Sequence, residues 1–353
     1  MPNTNSRPAG LRLWASWCRW AVAGLVVSML ALPAWNLVLD PYQIYGMPWP
    51  NDSAKLNERH GKVGHLLANP DRYDALLVGT SVMGAFDSGV VERHLPARRF
   101  YNLSFFGGKP GEILSSLKAL DAKGVRLKTI LYGVEPLAFH NAYSDSPANW
   151  PHPMVSGMSR LEFMAKYLFA ASFADGLDRV AGQFDSPPFI RFDIGSTGCY
   201  HLDRYEWLIS RDHEKFIAGQ FNKAGEGVAP AWLDSRFGEF GEILSWARSH
   251  GIDVRVFLTP MHPATAAIYG SAALSGFRDR LMAAGRLAAI PDCSRLLDGD
   301  ANHLFYDAKH FRPVAAERVL ACVFGWTNFI SDPMTHFSLS SNGFLSFAGG
   351  SHA

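Results

Sequence analysis

Apolar positions fall into two regimes along this chain. From Trp20 to Leu39 they run on without a charged residue, whereas elsewhere they form short clusters separated by turn-forming residues. Twenty helical residues at about 1.5 Å each cover the roughly 30 Å hydrocarbon core of a bilayer, so the first regime predicts a membrane-spanning helix. Arg7, Arg12 and Arg19 precede the run and Asp40 follows it, which places the amino terminus in the cytoplasm and the bulk of the chain outside. A cleaved signal peptide is the rival reading. Against it, the apolar core exceeds the usual ~7 to 15 residues and no Ala-x-Ala follows, so an uncleaved anchor is expected. Trp14, Trp17, Trp20 and Trp35 suit interfacial belts at its two ends. The expected organisation is a cytoplasmic segment 1–19, an anchor 20–39, a linker 40–70, a main domain 71–326 and a peripheral tail 327–353. Asp40 to Pro50, rich in proline and aromatics, reads as a stiff linker hugging the surface.

The second regime alternates strand and helix. Ala75 to Val78 has the length and composition of a strand buried on both faces, and Gly79-Thr80 turns it into a helix-like segment. Val90 to Leu95 reads as helix and Phe100 to Leu103 as a strand. Pro110 to Lys123 opens with proline and an early acidic residue and places Ile113, Leu114, Leu117 and Leu120 on one face. Thr129 to Val134 supplies a third strand, and strand-helix-strand repetition predicts a right-handed, parallel α/β sheet. Residues 136–230 break this alternation with prolines, aromatics and one apolar helix candidate, Leu161 to Val180, and read as an insertion or lid over the sheet edge. Alternation then returns with a helix Phe237 to His250, a strand Val254 to Leu258, a helix Phe277 to Gly285, a last strand Leu287 to Pro291 and a closing helix Pro313 to Val323. His60 to Asn69 is expected as a short entry helix whose His60 and His65 lie on the surface.

At 353 residues, 48% hydrophobic and 18% charged, the chain can bury a full core, and length alone leaves one large domain with an insertion and two domains equally open. A net charge of +1 and isolated basic pairs such as Arg98-Arg99 argue against a nucleic-acid partner. No metal-ligand spacing, Walker loop or dinucleotide fingerprint occurs, so neither a metal nor a cofactor is expected. Of the four cysteines, Cys322 reads as core, and Cys199 and Cys293 are able to pair in an oxidising compartment.

Candidate chemistry begins at Ser81 in Gly79-Thr80-Ser81. At the carboxyl end of a parallel strand and near a helix amino terminus, its hydroxyl faces the crevice where open α/β sheets bind ligands. The bland alternative is a helix cap. A serine becomes a nucleophile when an imidazole takes its proton and a carboxylate orients the imidazole, and Asp307-x-x-His310 supplies both from one loop.

With these blocks the chain resembles the SGNH (GDSL-like) hydrolase superfamily, in particular the membrane-anchored, extracytoplasmic branch that includes the alginate O-acetylation and lipoteichoic acid D-alanylation proteins. The resemblance covers roughly residues 71–325. Ser81 matches the first block, and Asp307 with His310 the last. Phe100-Tyr-Asn102-Leu-Ser-Phe-Phe-Gly107-Gly108 looks like the second, whose glycine N–H helps build the oxyanion hole. The third block departs: Gly133-Val-Glu135-Pro136 stands where the family has Gly-x-Asn-Asp, leaving Asn102 as a substitute donor or the hole weaker. Glu135 ends a strand and reads either as a cap or as a group facing substrate. His262, also at a strand end, resembles a residue that contacts substrate or supports the site, with a rival reading as the triad base. His140, Asn149, Trp150, His152, Tyr200, His201 and Trp207 are candidate sugar-stacking or rim groups.

The resemblance implies a three-layer α/β/α sandwich with a flavodoxin-like sheet and an acyl-serine intermediate. It implies an O-acyltransferase or O-acyl esterase acting on an exported glycan or envelope polymer, with acyl groups supplied by a multispanning membrane O-acyltransferase. Localisation in the cytoplasmic membrane, with the domain in the periplasm or outside, follows. The alternative is a non-catalytic glycan-binding or scaffold protein of an envelope complex.

Overall fold

The computed structural model describes residues 9–47, 56–140, 146–221 and 231–325. The first polar residues, the distal part of the 40–50 linker and the expected tail lie outside the described residues. Helix α1 (Ala9–Leu39) contains the stretch Leu13–Leu39, long and apolar enough to cross a membrane. From Leu13 on, its side chains stay mostly exposed until the last two turns, where Pro33, Asn36 and Leu39 turn into the protein. The start of the linker is a tight turn rather than an extended spacer. The Asp40 carboxylate ends the helix by accepting the N–H groups of Ile44 (2.8 Å), Tyr45 (3.0 Å) and Met47 (3.1 Å).

Helix α2 (Glu58–Ala68) is capped by Asn57, whose side chain accepts from the His60 N–H. Strand β1 (Ala75–Val78), helix α3 (Ser81–Gly84), helix α4 (Ser88–His94), strand β2 (Phe100–Asn102), helix α5 (Pro110–Asp121) and strand β3 (Thr129–Val134) follow as the hydrophobic pattern predicts. Proline at N1 begins α5, and its apolar face, Ile113, Leu114, Leu117 and Leu120, is buried.

The insertion contains α6 (Pro153–Ser156), α7 (Arg160–Ala170), α8 (Phe173–Gly182), a hairpin of β4 (Arg191–Phe192) and β5 (Tyr200–His201), α9 (Asp203–Arg211) and α10 (His213–Phe221). The single helix expected over Leu161 to Val180 is therefore two. Ser172 breaks it by forming a capping box with Asp175. The hairpin covers the β2 edge: the Asn102 N–H donates to the Thr197 carbonyl at 2.8 Å and the Tyr101 hydroxyl to Ile194 at 2.9 Å.

The chain then runs through α11 (Asp234–Ser249), β6 (Asp253–Leu258), α12 (Pro263–Tyr269), α13 (Ser271–Gly285), α14 (Ala301–Leu304) and α15 (Ala316–Phe324). The sheet is four-stranded and parallel in the order β2-β1-β3-β6. The last strand expected over Leu287 to Pro291 reduces to one parallel bridge, Leu258 to Asp292. Successive β1 residues enter opposite cores. Leu76 and Val78 pack with Leu117 of α5 and Phe240 of α11, while Ala75 and Leu77 pack with Val91 of α4 and Val319 of α15. This explains why β1 is a continuous apolar run.

The cysteines pair differently from expectation. Cys293 is bonded to Cys322 of α15, with Cα atoms 6.1 Å apart, and Cys199 is free and buried. His60 and His65 also leave the surface: His60 stacks on Phe163 with ring centroids 5.3 Å apart, and His65 stacks on Tyr101 at the same spacing.

Candidate active site

The site grows out of the turn after β1. Gly79 has φ +151°, and a Cβ there would lie 2.5 Å from the Gly133 carbonyl oxygen and 2.7 Å from Met83 Cγ, so the turn needs glycine. Thr80 caps α3 by accepting the Val82 N–H at 3.3 Å. Ser81 is therefore the first helical residue and not the cap. Behind it, the Tyr200 hydroxyl donates to the Ser81 carbonyl at 2.6 Å.

Ser81 Oγ lies 2.9 Å from His310 Nε2, and His310 Nδ1 lies 2.8 Å from Asp307 Oδ2. The loop between α14 and α15 is built to hold this line. Asp307 Oδ1 accepts the N–H groups of Lys309 and His310, each at 2.8 Å, and Tyr306 N–H donates to the His310 carbonyl at 2.8 Å. Burial alone would raise the Asp307 pKa, but the bonds from His310 and these N–H groups outweigh it and hold the carboxyl below its usual value. An ionised Asp307 fixes the imidazole with Nδ1 protonated and Nε2 free to accept from Ser81. Outside the loop, Glu206 of α9 accepts the Tyr306 hydroxyl at 2.6 Å and clamps Arg312 at 2.7 Å. Ser81 and His310 both remain partly exposed, so an ester has access.

The second block divides its roles in a way its sequence does not announce. Asn102 is fully buried; its amide donates to the carbonyls of Met83 (2.7 Å) and Phe86 (3.0 Å), and its oxygen accepts from the Ser104 N–H (3.1 Å) and hydroxyl (2.6 Å). It ties down the end of α3 from below and is not free to donate to an oxyanion. The Gly108 N–H is likewise spent, on the Phe105 carbonyl at 2.9 Å. Gly108 serves instead as a close contact, since a Cβ there would lie 2.9 Å from the Gly79 carbonyl. Gly107, exposed and at φ +60°, keeps its N–H unbonded among the described residues, as does Ser81 at the start of α3. With the Phe105 N–H bonded to the Gly79 carbonyl at 3.2 Å, this loop lies beside the Gly79-Thr80-Ser81 turn.

Glu135 accepts the Thr80 hydroxyl, so its side chain does not cap the 3₁₀ turn that follows it. Burial raises its pKa, and the Thr80 hydrogen bond and the charges of His310, Lys309 and Lys109 oppose the shift. His262 makes no hydrogen bond to Ser81 among the described residues. It is 6% exposed, caps α12 by accepting the Ala264 N–H at 3.2 Å, and packs edge-on against Phe305. Of the rim candidates, His140, Trp150 and Tyr200 are buried as packing groups, Asn149 accepts from Arg59 at 3.2 Å, His152 packs at a tilt against His60, and His201 pairs with Asp193 at 2.8 Å. Trp207 keeps an exposed face, with Arg211 stacked 4.1 Å from its ring.

Sequence reasoning missed the support beneath the second block. Lys62, fully buried in α2, donates to the Ser104 carbonyl at 2.6 Å and pairs with Glu58 at 3.2 Å; Glu58 accepts the Phe106 N–H. Arg59 donates to the Phe106 carbonyl at 2.8 Å and pairs with Glu112 of α5. The signal available was Glu58-Arg59-x-x-Lys62, which on its own reads as a solvated helix face.

Set against known families and curated proteins, the chain matches no family model and no curated protein at a significant level.

Proposed function

We propose that this chain is a membrane-anchored, extracytoplasmic SGNH-like serine enzyme that transfers or removes O-acyl groups on an exported glycan or envelope polymer. The observation that carries the reading is the continuous line Ser81 Oγ, His310 Nε2, His310 Nδ1 and Asp307, with contacts of 2.9 and 2.8 Å. A scaffold has no need for a serine, a histidine and a carboxylate in this alignment. The apolar clusters on opposite faces of the sheet support a three-layer α/β/α sandwich, and the strand order supports flavodoxin-like topology.

In this reading Ser81 Oγ attacks the ester carbonyl while His310 Nε2 takes its proton. Charge on the tetrahedral oxygen is met by the Ser81 and Gly107 N–H groups. His310 returns the proton to the departing alcohol, leaving acyl-Ser81, and then activates water or a sugar hydroxyl to release the acyl group. Glu135 braces Thr80 at the start of α3, in the place where the family has its third-block asparagine. The Leu13–Leu39 span supports anchoring in the cytoplasmic membrane with the amino terminus inside, and the Cys293–Cys322 disulfide suits an oxidising compartment. The anchor favours transfer over scavenging, because it keeps the site near a membrane-borne acyl donor such as a multispanning O-acyltransferase.

The test is to incubate purified protein with an acetyl-labelled ester and identify the labelled peptide. Label on Ser81, passing to an added oligosaccharide faster than to water, supports the transferase. Label passing only to free acetate supports the esterase. No labelled serine with any donor, and glycan binding unchanged in Ser81→Ala, would favour the scaffold.

A further inference from the structure

Helices α7 and α8 present an apolar surface that the active-site reading does not use. The Asn36 amide of α1 donates to the carbonyls of Leu168 (2.8 Å) and Ala171 (2.7 Å) at the end of α7. Trp35 packs against Phe173 with ring centroids 5.7 Å apart, and Gly176 leaves no room for a Cβ beside the Trp35 ring. The α7–α8 turn therefore grips the last two turns of α1, just where the preceding stretch, exposed almost all round, ends. One face of each helix is buried, through Phe163 and Tyr167 on α7 and Gly176 and Arg179 on α8. The other face carries an exposed stripe at four-residue spacing: Leu161 (80% exposed), Ala165 and Phe169 (62%) on α7, and Phe173, Leu177 (58%) and Ala181 on α8, continued by Phe184 (82%). At the same level, α1 leaves its own Leu37 and Val38 uncovered.

We propose that α7–α8 is a second membrane contact, a helical hairpin lying in the outer interface of the bilayer with its stripe sunk at the boundary of headgroups and acyl chains. This rests on the reading of α1 as a span. The occupant is lipid because the hairpin is fastened to the helix that crosses the bilayer, at the end where that helix leaves it. Apolar side chains of this size on an amphipathic helix at that level are buried by headgroup-level lipid, to a depth of about 5–10 Å. Two contacts, joined where the Tyr167 hydroxyl of α7 donates to Asp40 at 3.2 Å, fix the tilt of the domain on the membrane where a lone anchor would let it swivel.

The test uses full-length protein in phosphatidylcholine–phosphatidylglycerol vesicles containing doxyl-labelled lipid. Single free cysteines replace Val27, Leu177, Phe184 or Asp234 in a Cys18→Ser/Cys199→Ala background that keeps the Cys293–Cys322 disulfide, and carry a bimane fluorophore. Leu177→Cys and Phe184→Cys are expected to be quenched by lipid at least threefold more than Asp234→Cys on α11. Quenching at Val27→Cys with none above background at Leu177→Cys and Phe184→Cys would overturn the hairpin contact while leaving the span intact. Loss at all three would overturn both. Quenching at the stripe without Val27→Cys would retain the hairpin and reject the span. Energy transfer between differently labelled Leu177→Cys protomers in place of lipid quenching would assign the stripe to a second copy and overturn the proposal.

Discussion

Lys62 and Ser104 are joined by a 2.6 Å hydrogen bond from a fully buried ammonium to a backbone carbonyl. Glu58, 3.2 Å from the same ammonium, takes the N–H of Phe106, two residues further on. One ion pair thus grips the backbone on both sides of Phe105, and the next residues carry Gly107 past the start of α3. Helix α2 is therefore the floor of the candidate oxyanion hole, and the hole's geometry depends on a segment that leads in from the membrane side of the chain.

Lys62→Met should leave the Ser104 carbonyl without its donor and the Glu58 carboxylate partly stranded, with Arg59 3.7 Å away as its remaining counter-charge, and cost about 1–3 kcal/mol of stability. Glu58→Gln combined with Lys62→Met removes the stranded charge and should recover a large part of that loss, without restoring the ester-cleavage rate, because the Ser104 carbonyl still lacks its donor. Denaturant titration alongside an ester assay measures both. An unchanged midpoint in Lys62→Met would dismiss the pair as a support.

Ser81→Ala, His310→Ala and Asp307→Asn should each lower kcat by about 10⁴-fold, with the double variants no worse than the worst single one, because the three act as a unit. Circular dichroism should be unchanged, since Ser81 and His310 are partly exposed. Additive losses would mean that the 2.9 Å contact between Ser81 and His310 does not carry proton transfer.

Asn102→Ala separates its two readings. As a donor to an oxyanion, its loss would cut kcat by about 10²–10³-fold and leave stability alone. As a brace, its loss takes one donor each from the buried Met83 and Phe86 carbonyls, which keep the Phe86 N–H and the Cys199 thiol, at about 1 kcal/mol for each bond. The expected outcome is a clear fall in melting temperature. A normal melt with a hundredfold loss of rate would restore Asn102 to the hole.

The parts legible in the sequence were those encoded locally. Ala75 to Val78 with Gly79-Thr80 announces a buried strand and a turn, and Asp307 lies three residues from His310, so their contact needs one loop. Proline at N1 and an apolar face mark α5. The break between α7 and α8 was also written locally, as Ser172-x-x-Asp175, but apolar periodicity on both sides masked it. What was not legible depends on tertiary placement. Nothing in Glu58-Arg59-x-x-Lys62 tells that this helix face is buried, nor does Asn102 reveal which way its amide turns. Cys322 pairs with Cys293 because α15 packs against the loop that follows α13, a proximity that spacing alone does not encode.

Acid should loosen the insertion before the triad loop. His60 of α2 and His152 before α6 pack at a tilt with ring centroids 5.0 Å apart, and His60 stacks on Phe163 of α7. Burial, then the neighbouring His152 and Arg160 charges, push the His60 pKa down to about 4; burial and Arg160 do the same to His152, also to about 4. In an unfolded chain both would titrate near about 6.5. Above that pH both states are neutral and the pair contributes nothing to the pH dependence. As pH falls from about 6.5 towards 4 the unfolded chain takes up protons that the folded one refuses, so stability is lost over that window and levels off below it. Near pH 5 the uptake on unfolding from this pair should approach about two protons. Carboxylates add their own acid sensitivity, so the comparison is with His60→Gln/His152→Asn, in which Asn keeps the N-cap that His152 provides to the Met154 N–H. Between pH 7 and 5 the wild-type melting midpoint should fall more steeply than that of the double variant, and limited proteolysis at pH 5 should cut first within residues 146–221. Parallel midpoints across that range would show that the two rings titrate normally and that their packing does not hold the insertion to α2.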